Sequence, residues 1–558
     1  MRTLFLALGL FIFTQPLFSQ YLNKKQSAEI KKNLYYLASD KLEGRAPGTK
    51  GEELASKFIA KKFKAAGLKP GGEKGSFFHY FDYASTPIVQ AEQTSFKLIN
   101  KTYVLNEDFW PINISASAKV SGKVEYLKFG ITSPEMKYDD YKGYTKDELK
   151  GKIFVLENST PDGVHPHSKY LKYADLSTRV QLAEEMGAAA VIFVQNYQAD
   201  EPPVKLGKAS HVANIPVIFV KGIANKILLD GGPQDAEISV QIERPRVTTK
   251  NVVGVIDNGA ATNVIIGAHY DHLGWGEEGS LYRGEEKMIH NGADDNASGT
   301  AALIALAQYL SKSEFKKNNY IFIAFSAEEK GLFGSSAFAK SELFDATKAN
   351  YMLNMDMVGR MENDELAING VGTSSMWSNS LNNVKAGNLK IKTSESGVGP
   401  SDHTSFYLKN VPVLHFFTGT HNDYHKPTDD ADKINYEGID KVANFIIELI
   451  GNLNEQSRLD FQKTKEVEQT KAPKFSVTLG IIPDYMYDGK GVRVDGVSDG
   501  KPAAAAKMQA NDILIELGEF SIDNMKDYMA ALSKFKKGES VKAIVLRNNE
   551  KLELTVVF

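Results

Sequence analysis

The sequence predicts an α/β protein in three parts: a mostly parallel twisted sheet sandwiched by helices, a small α/β insert within it, and a separate compact domain at the C-terminal end. Three observations lead there. At 558 residues the chain exceeds what one core can hold. From about 247 to 453, runs rich in Val and Ile alternate with helical segments, the pattern of parallel strands buried between helix layers. On either side of that stretch the texture changes, to short apolar runs over 115–246 and to a polar segment at 454–473.

Residues 1–19 begin with Arg2, continue through an apolar run at 4–13 and end in Pro16, Leu17, Phe18 and Ser19, the layout of a secretory signal cleaved near Ser19. The run is shorter than the roughly 20 residues a bilayer requires, so the expectation is an exported protein, periplasmic or extracellular, with no membrane span once the signal is removed. The first part of the main domain, 20–114, contains a helix in which Thr49 and Glu52 have capping-box spacing and Leu54, Phe58, Ile59 and Phe63 share a face before Gly67. The insert, 115–246, has strand-like runs at 152–156 and 188–194 around a helical stretch near 179–186. Strands resume at 251–256 and 263–268 and open the second part of the main domain, 247–453. The linker, 454–473, is rich in Gln, Lys and Glu. The last domain, 474–558, has strand signals at 475–479, 491–494, 513–517 and 541–546 and a helix at 525–532.

Lys and Arg total 66 against 69 for Asp and Glu, a formal charge of −3, so no strong field points to nucleic acid or an anionic membrane. Cysteine is absent, which excludes disulfides, a thiol nucleophile and thiolate metal ligands. Any metal must sit on His, Asp and Glu.

Such residues recur at strand ends. His269 and Asp271 end one apolar strand and share a face, so the carboxylate can orient an imidazole that binds metal through its other nitrogen. Asp294 and Asp295 precede a helical run from Thr300, where acids commonly serve only as caps. Glu328 and Glu329 follow the strand at 320–325, and Asp356 follows the one at 351–353. His425 lies in the loop 423–427. One such placement arises easily by chance, but a series of them at the carboxyl ends of strands, where open α/β sheets put their sites, is hard to attribute to packing. Imidazole and carboxylate without thiolate suit catalytic Zn²⁺ with an open position.

In that order the residues resemble the co-catalytic two-zinc peptidases that include bacterial leucine aminopeptidases and glutamate carboxypeptidase, over about 20–110 and 247–453. The resemblance implies two Zn²⁺ per chain, with Asp295 bridging, Glu329 and His425 completing one site, and His269 and Asp356 the other. It also implies Asp271 orienting His269, Glu328 as general base, and a cis bond after Asp295. Ser401, Asp402 and His403 resemble a segment lining the site, although His403 and Tyr424 read equally well as packing residues. The insert resembles a protease-associated domain, which shapes access without supplying ligands. The last domain resembles a PDZ domain of bacterial proteases, with Thr478, Leu479, Gly480 and Ile481 at its carboxylate-binding loop, and so implies a peptide or protein C-terminus as partner.

The expected activity is removal of N-terminal residues from peptide substrates, because the run Gly292 to Gly299 looks closer to the bacterial aminopeptidases. Asp294 and Asp402 are spare acids for a substrate ammonium. Carboxypeptidase or dipeptidase action on the same centre is the alternative, followed by glutaminyl cyclase chemistry with one zinc. A non-catalytic binding protein on this fold, as the transferrin receptor is, stands last, because that relative has lost ligands present here.

Overall fold

A computed structural model of the chain describes residues 21–558 apart from 164–168, 171–172, 174, 197–211, 232–233, 386, 465–476, 484–489, 498–499, 523–524, 533 and 549. The expected signal segment lies outside the described residues. The chain forms two units, Met1–Phe81 with Thr248–Phe558, and Asp82–Val247.

The first unit is organised by a nine-stranded sheet of β1 (Lys69–Pro70), β2 (Phe78–Ala84), β3 (Arg246–Ile256), β4 (Asn263–His269), β5 (Asn319–Phe325), β6 (Ala349–Met355), β7 (Glu365–Asn369), β8 (Lys390–Ser394) and β9 (Val413–Phe417). Its order is β1-β3-β5-β4-β6-β9-β7-β8, with β2 against β3. The central strands β5, β4, β6 and β9 are mutually parallel. Strands β3 and β7 meet this block antiparallel, so the parallel character is confined to the middle. Burial on both faces explains the unbroken apolar reading of β4: Val264, Ile266 and Ala268 pack in one core, while Ile265 packs with Phe338 and Phe406 in another. The first core is closed by α1 (Lys24–Leu37), α2 (Lys50–Ala65), α3 (Gly299–Leu310) and α4 (Tyr436–Asn454).

Helix α2 begins as its sequence predicts, with the Thr49 hydroxyl accepting from the Glu52 amide, but Glu52 does not return the bond. Its buried carboxylate accepts hydrogen bonds from the Gly48 amide (2.6 Å), the Tyr270 hydroxyl (3.1 Å) and the hydroxyls of Thr249 and Ser326. Four donors in a dry setting outcompete the reciprocal cap. An N-terminal helix is thereby tied to the segments leading to Asp271 and Glu328.

The second unit has an eight-stranded sheet with a parallel centre, in which Ala118–Tyr126, Ile153–Glu157, Ala190–Val194 and Val217–Val220 run side by side. The sequence places the insert's start at 115. In the structure Ser95–Leu98 pairs with Asp235–Val240, and Phe109–Pro111 with Val217–Val220, so earlier residues join this sheet and the unit begins at Asp82.

Beyond α4 the polar composition suggests a solvated linker, yet residues 455–464 lie against the main sheet. Leu459 is buried, Asp460 accepts from Ser374 and Ser375, Phe461 packs on Tyr407, and Thr464 bonds Tyr407 and Gly397. The C-terminal strands include Ile481–Pro483, Val492–Val497, Ile513–Leu517, Ser540–Arg547 and Glu550–Val557 around the helix Met525–Leu532. Residues 477–479 are not extended into a strand; pairing starts at Ile481. Among the described residues no helix is long and apolar enough to cross a membrane.

Truncation after Thr464 should leave the main sheet at its full stability. Truncation after Asn454 should cost about 3 kcal/mol, through exposed apolar surface around Leu459 and Phe461 and the lost bonds of Asp460 and Thr464. Urea unfolding of the two shortened chains measures the difference.

Candidate metal centre

Because β5, β4, β6 and β9 are parallel neighbours, their carboxyl ends open onto one place. His269 is the last residue of β4, Glu328 and Glu329 follow β5, Asp356 follows β6, and the loop after β9 brings His425. Asp295 enters from the turn ahead of α3, and the Asp295–Asn296 peptide is cis. Three residues in these loops, Ala327, Met357 and His425, have φ of 54°, 53° and 54°, a conformation disfavoured by side chains that bear a Cβ.

All five sequence-predicted ligands converge. His269 Nε2 is 3.3 Å from Asp295 Oδ1 and 3.1 Å from Asp356 Oδ1. His425 Nε2 is 3.2 Å from Asp295 Oδ2 and 3.2 Å from Glu329 Oε2. Donors about 2.0 Å from a tetrahedral zinc ion stand about 3.3 Å apart, so both groups have the spacing zinc requires, with one oxygen of Asp295 directed to each.

Glu328 stands aside from both groups, its nearest imidazole being His269 Nε2 at 3.9 Å. Burial pushes its carboxyl well above the ordinary range; the charge of His269 opposes this, and Asp356, Glu329 and Asp402 add to it. Asp271 relates to His269 differently from the expectation. Its main-chain oxygen lies 3.3 Å from His269 Nδ1, nearer than its carboxylate at 3.7 Å, and that carboxylate accepts the Glu328 amide. The side chain therefore braces the Glu328 loop as well as the imidazole.

Several supporting residues surround the ligands, and most of them escaped the sequence reading. The Asp429 carboxylate accepts the amides of both Asp294 and Asp295, at 2.9 and 3.1 Å. The Ser401 hydroxyl donates to Asp356 Oδ2 at 2.7 Å, which makes Ser401 the member of its segment that touches the ligand set. His425 Nδ1 donates to the Gly279 carbonyl at 3.0 Å and so directs Nε2 inward, where the ring stacks on Tyr424. Fully buried Arg45 donates to the carbonyls of Leu37, Tyr270, Asn291 and Gly292, joining the turn that bears Asp295 to the end of β4. Burial lowers its pKa to about 10, which leaves it charged at neutral pH. His272 lies against Glu329, with Nδ1 2.7 Å from Oε1. Ser401 and Tyr424 had been marked in the sequence, and His272 and Asp429 lie one and two residues beyond segments that were.

Of the two spare acids, Asp294 is committed: it accepts the Gly359 amide and faces His421 Nε2 at 3.2 Å. Asp402 is buried, and loss of solvent pushes its carboxyl up to about 7 against the opposing charge of His269. His403 lies behind the site, stacked on His415 with centroids 4.6 Å apart.

Residues 251–450 match the profile of peptidase family M28. Residues 460–557 match that of a PDZ domain. The aminopeptidase YwaD of Bacillus subtilis (strain 168) is 26% identical over 347 residues, which span 58% of this chain and 68% of the relative. An aminopeptidase of Pseudomonas aeruginosa (strain UCBPP-PA14) is 25% identical over 327 residues, spanning 56% and 54%. Among solved structures, the aminopeptidase from Aneurinibacillus sp. strain AM-1 has 22% identity and a TM-score of 0.46, covering 78% of this chain and 95% of that one.

Without metal, the two imidazoles of the ligand groups, His269 and His425, hold protons. Burial opposes the charge on His425, but Glu329 and Asp295 outweigh it and raise the pKa to about 11. For His269 burial is likewise outweighed, by Asp356 and Glu328. Zinc binding must displace both protons, so loading near neutral pH should release about two protons per chain and tighten as pH rises. Calorimetry in buffers of different ionisation enthalpy counts them.

Proposed function

We propose that the protein is an exported di-zinc aminopeptidase that removes N-terminal residues from peptides. The observation that carries this reading is the pair of donor groups sharing Asp295, with Glu328 beside them and outside both. Zinc held by these residues would supply Lewis-acid chemistry, acidifying a water molecule and polarising the scissile carbonyl. Glu328 takes the water's proton and returns it to the leaving amine, a task suited to a carboxyl with a raised affinity for protons. Asp271 fixes the backbone of Glu328, and Ser401 holds Asp356 in place.

Electrostatics favours the amino end. Two arginines near the site are committed to protein groups, Arg45 to four carbonyls and Arg360 to Asp423 at 2.8 Å with Asp429 at 3.5 Å. The remaining field is that of carboxylates, which attract a substrate ammonium and repel a free carboxylate. Export rests on the signal-like N-terminal segment. The PDZ domain supports capture of a peptide or protein C-terminus, with Thr478 to Ile481 as the carboxylate loop.

Glu328→Gln should retain zinc and lose a factor on the order of 10² or more in kcat, because the amide keeps the shape without accepting a proton. Glu329→Gln should lose metal first. Elemental analysis beside turnover separates them, and exchanged phenotypes would reject the roles assigned to the pair.

Aminoacyl p-nitroanilides with a free amine should be cleaved, and their N-acetylated forms should not. Equal turnover of the acetylated forms, with trimming of peptides from the carboxyl end, would reject the aminopeptidase direction.

A further inference from the structure

Beside Glu329 stands an imidazole that the five donors do not include. His272 is fully buried, and its Nδ1 lies 2.7 Å from Glu329 Oε1. A carboxylate only accepts, so the imidazole donates. Glu329 thus divides its oxygens, Oε1 toward His272 and Oε2 toward His425 at 3.2 Å.

His272 lies close enough to Asp295 and Glu329 for the three to hold a metal among them. The distances argue for another role. Donor spacings within the two ligand groups are 3.1 to 3.3 Å, whereas His272 is 2.7 Å from Glu329 and 4.0 Å from Asp295 Oδ2. The first is a hydrogen-bond length, and the second is too long for an edge between two ligands of one zinc ion.

The ring's position is also enforced. A Cβ on Gly292, where φ is +54°, would come within 2.5 Å of His272 Cδ2 and Cγ, so glycine leaves the space the ring occupies. The ring lies 5.8 Å from that of His425 and nearly perpendicular to it. Its Nε2 is buried without a hydrogen-bond partner, a state that disfavours a polar residue unless its other nitrogen has a use.

We infer that His272 is a positioning residue that grips Glu329 through Oε1, leaves Oε2 alone to face the metal, and is not itself a ligand. This rests on the two-metal reading above. It gives Glu329 the kind of outer support that Ser401 gives Asp356.

The test uses the full chain, stripped of metal and titrated with zinc against a chromophoric chelator. In His272→Leu one of the two zinc affinities should fall by about 10- to 100-fold while the other stays within about threefold. In His272→Asn, whose amide can still donate to Oε1, the loss should be under about tenfold. X-ray absorption of the cobalt-loaded wild-type protein should count two imidazoles per metal pair. Unchanged affinities in His272→Leu would overturn the inference, as would an Asn variant no better than Leu. Three imidazoles would make His272 a ligand instead. A wild-type chain that takes up only one zinc ion would overturn the two-metal reading and this inference with it.

Discussion

Mutual repulsion among buried and half-buried carboxylates governs the architecture of this site. Asp295, Glu328, Glu329, Asp356, Asp402 and Asp429 crowd the carboxyl ends of β5, β4, β6 and β9, where solvent does little to screen them. Most are met by something positive or by a donor, whereas both oxygens of Asp402 are buried without a hydrogen-bond partner. Asp295 and Glu329 face imidazoles, Asp429 takes two backbone amides, and Arg45 contributes a full charge from below. Burial and Asp295 would raise the pKa of Glu329, but His425 and His272 draw it down to about 2. Glu328 is left with little compensation, and that imbalance equips it to carry a proton while its neighbour remains an ionised ligand.

The parts legible in the sequence are those in which chemistry and periodicity coincide. Continuous apolar runs marked β4, β5 and β6 because both faces are buried, and an acid or a His directly after such a run has few structural reasons to be there. The resemblance then ordered the ligands. What stayed hidden depends on contacts remote in the chain. Nothing near Arg45 shows that its guanidinium reaches the carbonyls of Tyr270 and Gly292, and Glu52 looks like half of a capping box because its true partners, Thr249, Tyr270 and Ser326, are distant. Composition also misleads at 455–464, where the polar residues Asp460 and Thr464 are ones that bond to Ser374 and Tyr407, so hydrophilicity there does not mean solvation.

The loops of the site are fixed from several directions. Asn296 donates to the Met355 carbonyl and accepts the Met357 amide, binding the turn of Asp295 to the loop of Asp356. Thr300 donates to the His269 carbonyl. Gly279 holds His425, and the Leu281 amide returns to the His425 carbonyl. The donors are thus held by backbone bonds as well as by one another, which favours a preformed site over one assembled around its ions.

The division of the first unit into two stretches of chain bears on the order in which the protein takes shape. Helices α1 and α2 are made early, but the strands they cover begin only after residue 247. The intervening unit has cores of its own and lacks nothing once Val247 has been made. During synthesis the segment bearing Arg45 and Glu52 waits with its charges in water and its apolar face uncovered while the middle of the chain is made. The main sheet therefore closes by long-range pairing, a slow step, and it is then that a chaperone would find the most exposed surface.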